Sequence, residues 1–167
     1  MAFTGHRSKD VEGRSPEELE AVRGLIRKQL EKCGMDTLCV SVAEGADTIA
    51  CEEALALGMS LELYLPLPVA EFREDFADRM EAWPRAESLI KLAQAGGEHS
   101  LTVLEEERPE CYAAVNDLLL EEADLLLAVT TESPKKMGGA SEMLSLAQEK
   151  GIPCVIINPL TQEISQT

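Results

Sequence analysis

Short apolar runs alternate with helix-patterned stretches along the sequence, and this alternation restricts the fold more than any other feature. Strands are expected at residues 37–43 (TLCVSVA), 60–65 (SLELYL), 100–104 (SLTVL), 124–130 (DLLLAVT) and 153–158 (PCVIIN), with the tail of a first strand at 2–4. The run at 124–130 is continuously apolar, as a strand buried on both faces requires. Helical patterns lie between these runs. Ser15-Pro16-Glu17-Glu18 announces the first. Ser15 can cap it, Pro16 suits the first helical position and Glu18 completes a capping box. Leu19, Val22, Ile26, Leu30 and Cys33 follow at helical spacing, and Gly34 ends the pattern. Further helices are expected after the 44–47 turn, over 71–83 up to Pro84, over 87–95, around Cys111 to Leu119, and over 140–150 up to Gly151. The fold class that follows is α/β: an open, mainly parallel sheet with helices on both faces and right-handed crossovers, spanning 1–167 as one domain.

Composition narrows the setting. The 45% hydrophobic and 28% charged residues are those of a globular chain. No apolar run is long enough to span a membrane, and no signal-peptide pattern opens the sequence. The five cysteines form no C-x-x-C pair and are odd in number, which points away from a disulfide framework or a zinc site and towards a reducing, cytoplasmic setting. No metal and no cofactor is called for. The net charge of −16 opposes nucleic acid, because such binding draws its affinity from lysine and arginine on phosphate.

Open parallel sheets bind ligands beyond the carboxyl ends of their strands, so the post-strand loops carry the functional signal. Three stand out. Thr4-Gly5-His6-Arg7 follows the first strand, Glu44-Gly45-Ala46-Asp47 follows the second, and Lys135-Lys136-Met137-Gly138-Gly139-Ala140-Ser141 precedes the last helix. Glycines let backbone approach a ligand, and helix starts offer N–H groups and partial positive charge to an anion. Arg7 offers a planar donor fork and Ser141 a hydroxyl. Each loop also has a purely structural explanation. Gly138-Gly139 can be a tight helix entry, Gly45 with Asp47 a turn and cap, His6 a satisfied imidazole, and Lys135 and Lys136 solvated charges. Their convergence on one sheet edge is the signal. After the third strand, Phe72 and Phe76 have the spacing of a buried helical face, while Glu71, Arg73 and Asp75 can rim the ligand edge.

In sequence order, Phe3-Thr4-Gly5-His6-Arg7, Glu44-Gly45-Ala46-Asp47, Leu65-Pro66 with Glu71 to Phe76, the 124–129 run and Gly138-Gly139-Ala140 together resemble the SLOG superfamily. This Rossmann-like group includes DprA, the LOG phosphoribohydrolases and the YpsA-like proteins. The best resemblance is to the YpsA-like and stand-alone SLOG branches. It implies a site for a nucleotide or nucleotide derivative at the three loops. Some branches are thought to sense ADP-ribose-type signals in bacterial defence, whereas the LOG branch cleaves the base from a nucleoside 5′-monophosphate. LOG enzymes carry P-G-G-x-G-T-x-x-E with a catalytic glutamate. Here Gly138-Gly139-Ala140-Ser141-Glu142 lacks the proline and the threonine, and Glu142 arrives too early for a simple superposition. DprA binds single-stranded DNA, a role the charge of this chain opposes. Only Met1, Ala2 and Phe3 precede Thr4, so the first strand is either short or trimmed from a longer one.

The leading functional reading is binding or sensing of a nucleotide-derived ligand. Arg7 and the helix start of Gly138, Gly139, Ala140 and Ser141 would hold phosphate, Glu44 or Asp47 would accept from ribose hydroxyls, and Gly5, His6 and Gly45 complete the ligand-binding set. The alternatives are a nucleoside-monophosphate N-glycosidase using Glu44, Asp47 or Glu142, and a non-catalytic scaffold. Self-association suits such a fold, but no interface stands out.

Overall fold

The computed structural model describes residues 1–7, 16–104, 108, 110–121, 123–131 and 139–167. Its strands are β1 (Ala2–Gly5), β2 (Thr37–Val40), β3 (Ser60–Leu65), β4 (Ser100–Val103), β5 (Leu126–Val129), β6 (Cys154–Ile157) and β7 (Ile164–Gln166). Its helices are α1 (Pro16–Cys33), α2 (Ala46–Ala56), α3 (Val69–Phe72), α4 (Trp83–Ala95), α5 (Cys111–Glu121) and α6 (Ala140–Glu149), with a 3-10 segment at Arg73–Ala82 between α3 and α4. The strands form one sheet in the order β4-β3-β2-β1-β5-β6-β7. All neighbours are parallel except β6 and β7, which are antiparallel. The α/β class, with a mainly parallel sheet between helices, is therefore as expected.

Alternation along the strands sorts the core into two layers. Phe3, Val40, Leu61, Leu63, Leu127 and Val129 join the apolar faces of α1, α2 and α4 on one side. Ala2, Leu126, Ala128, Cys154 and Ile156 meet α5 and α6 on the other. β5 and β6 are buried at every position, which explains their unbroken apolar character. β3 alternates instead: Leu61, Leu63 and Leu65 are buried, while Ser60, Glu62 and Tyr64 are half-buried.

Three local expectations need correction. β2 stops at Val40 rather than Ala43, because Val42 turns the chain with φ 45° while remaining fully buried. A positive φ at a buried β-branched residue is strained backbone. The continuous helix expected over 71–83 is instead α3 followed by the 3-10 segment, with non-helical φ −145° and ψ 47° at Arg79. Pro84 does not break a helix. It occupies the first turn of α4, where its missing N–H is harmless, so α4 starts at Trp83. Phe72 and Phe76 are buried as expected, and Phe76 packs edge-on against both Phe72 and Trp83 at 5.6 and 5.2 Å. β7 was not anticipated from the sequence. The proposed Ser15 cap lies outside the described residues.

Candidate functional site

Strand order reverses between β1 and β5, because β2, β3 and β4 lie on one side of β1 while β5 and β6 lie on the other. Gly5 pairs with Val129 at this point, so residues 6–7 and 130–131 leave the sheet side by side. The His6 N–H donates to the Val129 carbonyl at 3.0 Å, and the Thr131 N–H donates to His6 Nε2 at 2.9 Å. Nε2 therefore carries the lone pair, and the proton of the neutral ring lies on Nδ1. The hydroxyls of Thr131 and Thr130 stand 3.1 and 3.3 Å from Nε2, and Thr130 Oγ1 is 3.2 Å from Ser141 Oγ. These contacts tie the ends of β1 and β5 to the first turn of α6. Gly139 is the N-cap of α6, and its carbonyl accepts from the Glu142 and Met143 N–H groups at 3.0 and 3.1 Å. Ala140 is buried, and Glu142 is half-buried in the same turn as Ser141. Gly138 lies outside the described residues, as do Lys135, Lys136 and Met137.

The start of α2 is pressed against β1. A Cβ on Gly5 would come within 2.4 Å of Ala46 Cβ, so only glycine fits there. The Ala46 N–H donates to the His6 carbonyl at 3.2 Å. Gly45 caps α2 with φ 108°, a conformation that also calls for glycine. Asp47 sits one residue inside the helix and is 5% exposed. Its Oδ2 accepts from the Ala43 N–H at 3.3 Å, and its buried Oδ1 has no hydrogen-bond partner among the described residues. Burial pushes its carboxyl up to about 7, against the opposing pull of the Ala43 and Gly5 backbone and the Arg7 charge. Glu44 is also buried, but it lines a cavity of about 360 Å³ between α1 and α2, a lining to which Asp47 does not belong.

Arg7 reaches toward the 3-10 segment and donates to the Asp75 carbonyl at 3.3 Å. The Asp75 carboxylate in turn accepts from the Tyr112 hydroxyl and pairs with Arg108 at 2.9 Å. Arg108 also donates to the Glu71 carbonyl at 3.4 Å. Burial raises the Tyr112 phenol above its usual range, and the bond to Asp75 adds to this. Asp75, one of the residues expected near the ligand edge, lies beside Arg7 through its backbone carbonyl.

No protein-family profile matches the sequence, and no curated protein matches it either. A solved structure does: DNA processing protein A (DprA) from Streptococcus pneumoniae. It superposes with a TM-score of 0.57 over 94% of this chain, at 16% identity. The fold is DprA-like. The chain spans about half of that protein, 49% of its length.

Within this DprA-like frame, the post-β1 loop meets both other elements that sequence reasoning selected. His6 contacts the residues after β5 and, through them, Ser141; Gly5 contacts Ala46. The three candidate carboxylates do not form one group. Asp47 lies under the end of β1, Glu44 faces the α1–α2 cavity, and Glu142 belongs to α6. Thr130, Thr131, Arg108 and Tyr112 were missed. Thr130 read as the end of an apolar strand, and Thr131, Arg108 and Tyr112 stand outside any recognisable motif. Among the described residues, no group of His, Cys, Asp and Glu side chains is arranged to hold a metal ion, and no helix is long and apolar enough to cross a membrane. None of the five cysteines forms a disulfide.

Proposed function

We propose that this chain binds a nucleotide-derived ligand, a nucleoside phosphate or an ADP-ribose-type molecule, across the carboxyl edge of its sheet. The observation that carries this reading is Asp47. A buried carboxylate oxygen with no partner, at a helix start beside Arg7, is an acceptor suited to hydroxyl donors such as those of ribose. The phosphate end would lie at the β1–β5 crevice, among the Thr130, Thr131 and Ser141 hydroxyls, the Gly139–Ala140 helix start and Arg7. The finer resemblance to YpsA-like and stand-alone SLOG proteins belongs with this reading. So does its placement in the cytoplasm as a single domain.

Thermal stability measured against a panel of nucleotides, NAD and ADP-ribose tests it. A ligand at ~100 times its dissociation constant adds about 2.7 kcal/mol, a rise of several degrees. Arg7→Ala should reduce that rise at least tenfold in affinity terms. An unchanged affinity in this variant would remove Arg7 from the site, and a flat panel would remove the nucleotide reading.

A second reading, N-glycosidase action on a nucleoside 5′-monophosphate, is favoured by the same residue. A carboxyl near 7 is poised to exchange a proton at neutral pH. Release of free base by the wild type and its loss in Asp47→Asn would select this reading over simple binding. The name of the solved neighbour raises DNA as a ligand, but the charge of −16 argues against it.

A further inference from the structure

Acidic residues outnumber lysine and arginine by 31 to 15 in this chain, so an arginine can serve an anionic ligand only if the protein's own carboxylates are kept from it. Pairing is the usual fate of arginine here. Arg23, Arg27, Arg79, Arg85 and Arg108 each form an ion pair with a glutamate or an aspartate. Arg7 differs from them. Among the described residues its hydrogen bond runs to a neutral group, the Asp75 carbonyl at 3.3 Å, and no carboxylate pairs with it. The guanidinium is tethered without being neutralised, and its other N–H donors stay available.

The residue that tethers Arg7 carries a carboxylate of its own, and that carboxylate is engaged elsewhere. Its Oδ1 pairs with Arg108 at 2.9 Å, and its Oδ2 accepts from the Tyr112 hydroxyl. Arg108 is braced in turn by the Glu71 carbonyl at 3.4 Å and the Tyr112 hydroxyl at 3.3 Å, with its guanidinium 5.9 Å from the centre of the Tyr112 ring. The Asp75 side chain is only 10% exposed, so water is a poor substitute for these two partners. Deprived of them, the carboxylate would turn to another cation, and Arg7 already touches the same residue, a side-chain rotation away. Asp47, the other acid within the field of Arg7, is occupied differently: it is buried and accepts from the Ala43 N–H.

We infer that Arg108 and Tyr112 are positioning residues for the anion site: they hold the Asp75 carboxylate away from Arg7 and so keep the Arg7 guanidinium open to a ligand's phosphate. The identity of that phosphate rests on the proposed function, whereas the brace around Asp75 does not.

Two readouts test this. Arg7 is partly exposed, and phenylglyoxal, which condenses with unpaired guanidinium groups, should label it in the ligand-free wild type, as read by peptide mass spectrometry. Tyr112→Phe combined with Arg108→Gln should slow that labelling about tenfold, the worth of one charged hydrogen bond. Adding Asp75→Asn to the pair should restore it, because an amide cannot neutralise Arg7. Titration calorimetry with AMP and ADP-ribose should follow the same order, with binding weakened about tenfold in the double variant and recovered in the triple. A merely structural brace predicts no recovery, since the third substitution repairs no contact. Unchanged Arg7 labelling in the double variant, or a loss that Asp75→Asn does not reverse, overturns the inference. Labelling in the expected order with neither AMP nor ADP-ribose bound upholds the brace and removes the nucleotide reading. Should the double variant not fold, Tyr112→Phe, which removes one hydroxyl, takes its place with the same order expected.

Discussion

Ala46 stands where any side chain on Gly5 would go, so the end of β1 and the start of α2 can touch only if residue 5 is glycine. Gly5→Ala should lower stability by about 1–3 kcal/mol, the usual penalty of overpacking, and displace the start of α2. Chemical denaturation, with the Ala46 amide resonance as reporter, checks both effects. Asp47 gives a prediction with a definite sign. Its folded pKa of about 7 lies above the ordinary 3.8, so folding favours the protonated form. The stability tied to that proton is fully present below 3.8 and is lost as pH rises through about 7. Asp47→Asn keeps an acceptor for the Ala43 N–H and cannot titrate. Its melting temperature should therefore fall less between those limits than that of the wild type; equal slopes would show that Asp47 is not the titrating group. The sequence marked both residues as candidates. It did not reveal that Gly5 is required by Ala46 or that Asp47 is buried with an unpartnered oxygen, because those facts depend on how α2 docks.

Three helices on one face of the sheet are joined by a small ionic lattice. Glu53 of α2 receives Arg23 and Arg27 of α1 at 2.6 and 3.1 Å, and Glu52 is shared by Arg23 and Arg85 of α4. Burial alone would raise the Glu53 carboxyl, but its bonds to the two arginines outweigh this and hold it below the ordinary 4.5. Its contribution is present above that value and is lost as pH falls through the lowered pKa, the reverse of Asp47 on the same helix. Glu53→Ala should destabilise the chain by about 2 kcal/mol at neutral pH, reduced from the value for a fully buried pair because both arginines are partly exposed. Urea denaturation at neutral and acid pH checks it, and the difference from wild type should shrink in acid. Helix existence was legible from apolar spacing in α1 and α5. The 3-10 segment was not, because Phe72 and Phe76 have helical spacing whichever helix carries them. The end of β2 was also hidden: the apolar run continues to Ala43, and only the turn at Val42 ends the strand.

On the scale of the whole molecule, alternation of strands and helices made the α/β class readable, because burial of both sheet faces leaves a pattern in every strand. Strand order was not readable, nor was β7, whose three residues are all exposed and carry no apolar period. β7 nevertheless covers the β6 edge, with Ile157 opposite Ile164. Removing residues 159–167 should expose that edge and promote self-association, which light scattering over a concentration series would detect; a monodisperse truncated protein would show that the edge needs no cover. The placement of β1 has a consequence in time. β1 is made before β5, yet Ala2 pairs with Leu126 and Gly5 with Val129, residues more than a hundred positions further along. During translation the first strand must wait, with one edge unpaired, until β5 leaves the ribosome, and contacts between such distant segments close slowly. The crevice between β1 and β5 is therefore a late acquisition of the growing chain, and a nascent fragment ending before β5 has no such crevice to offer a ligand.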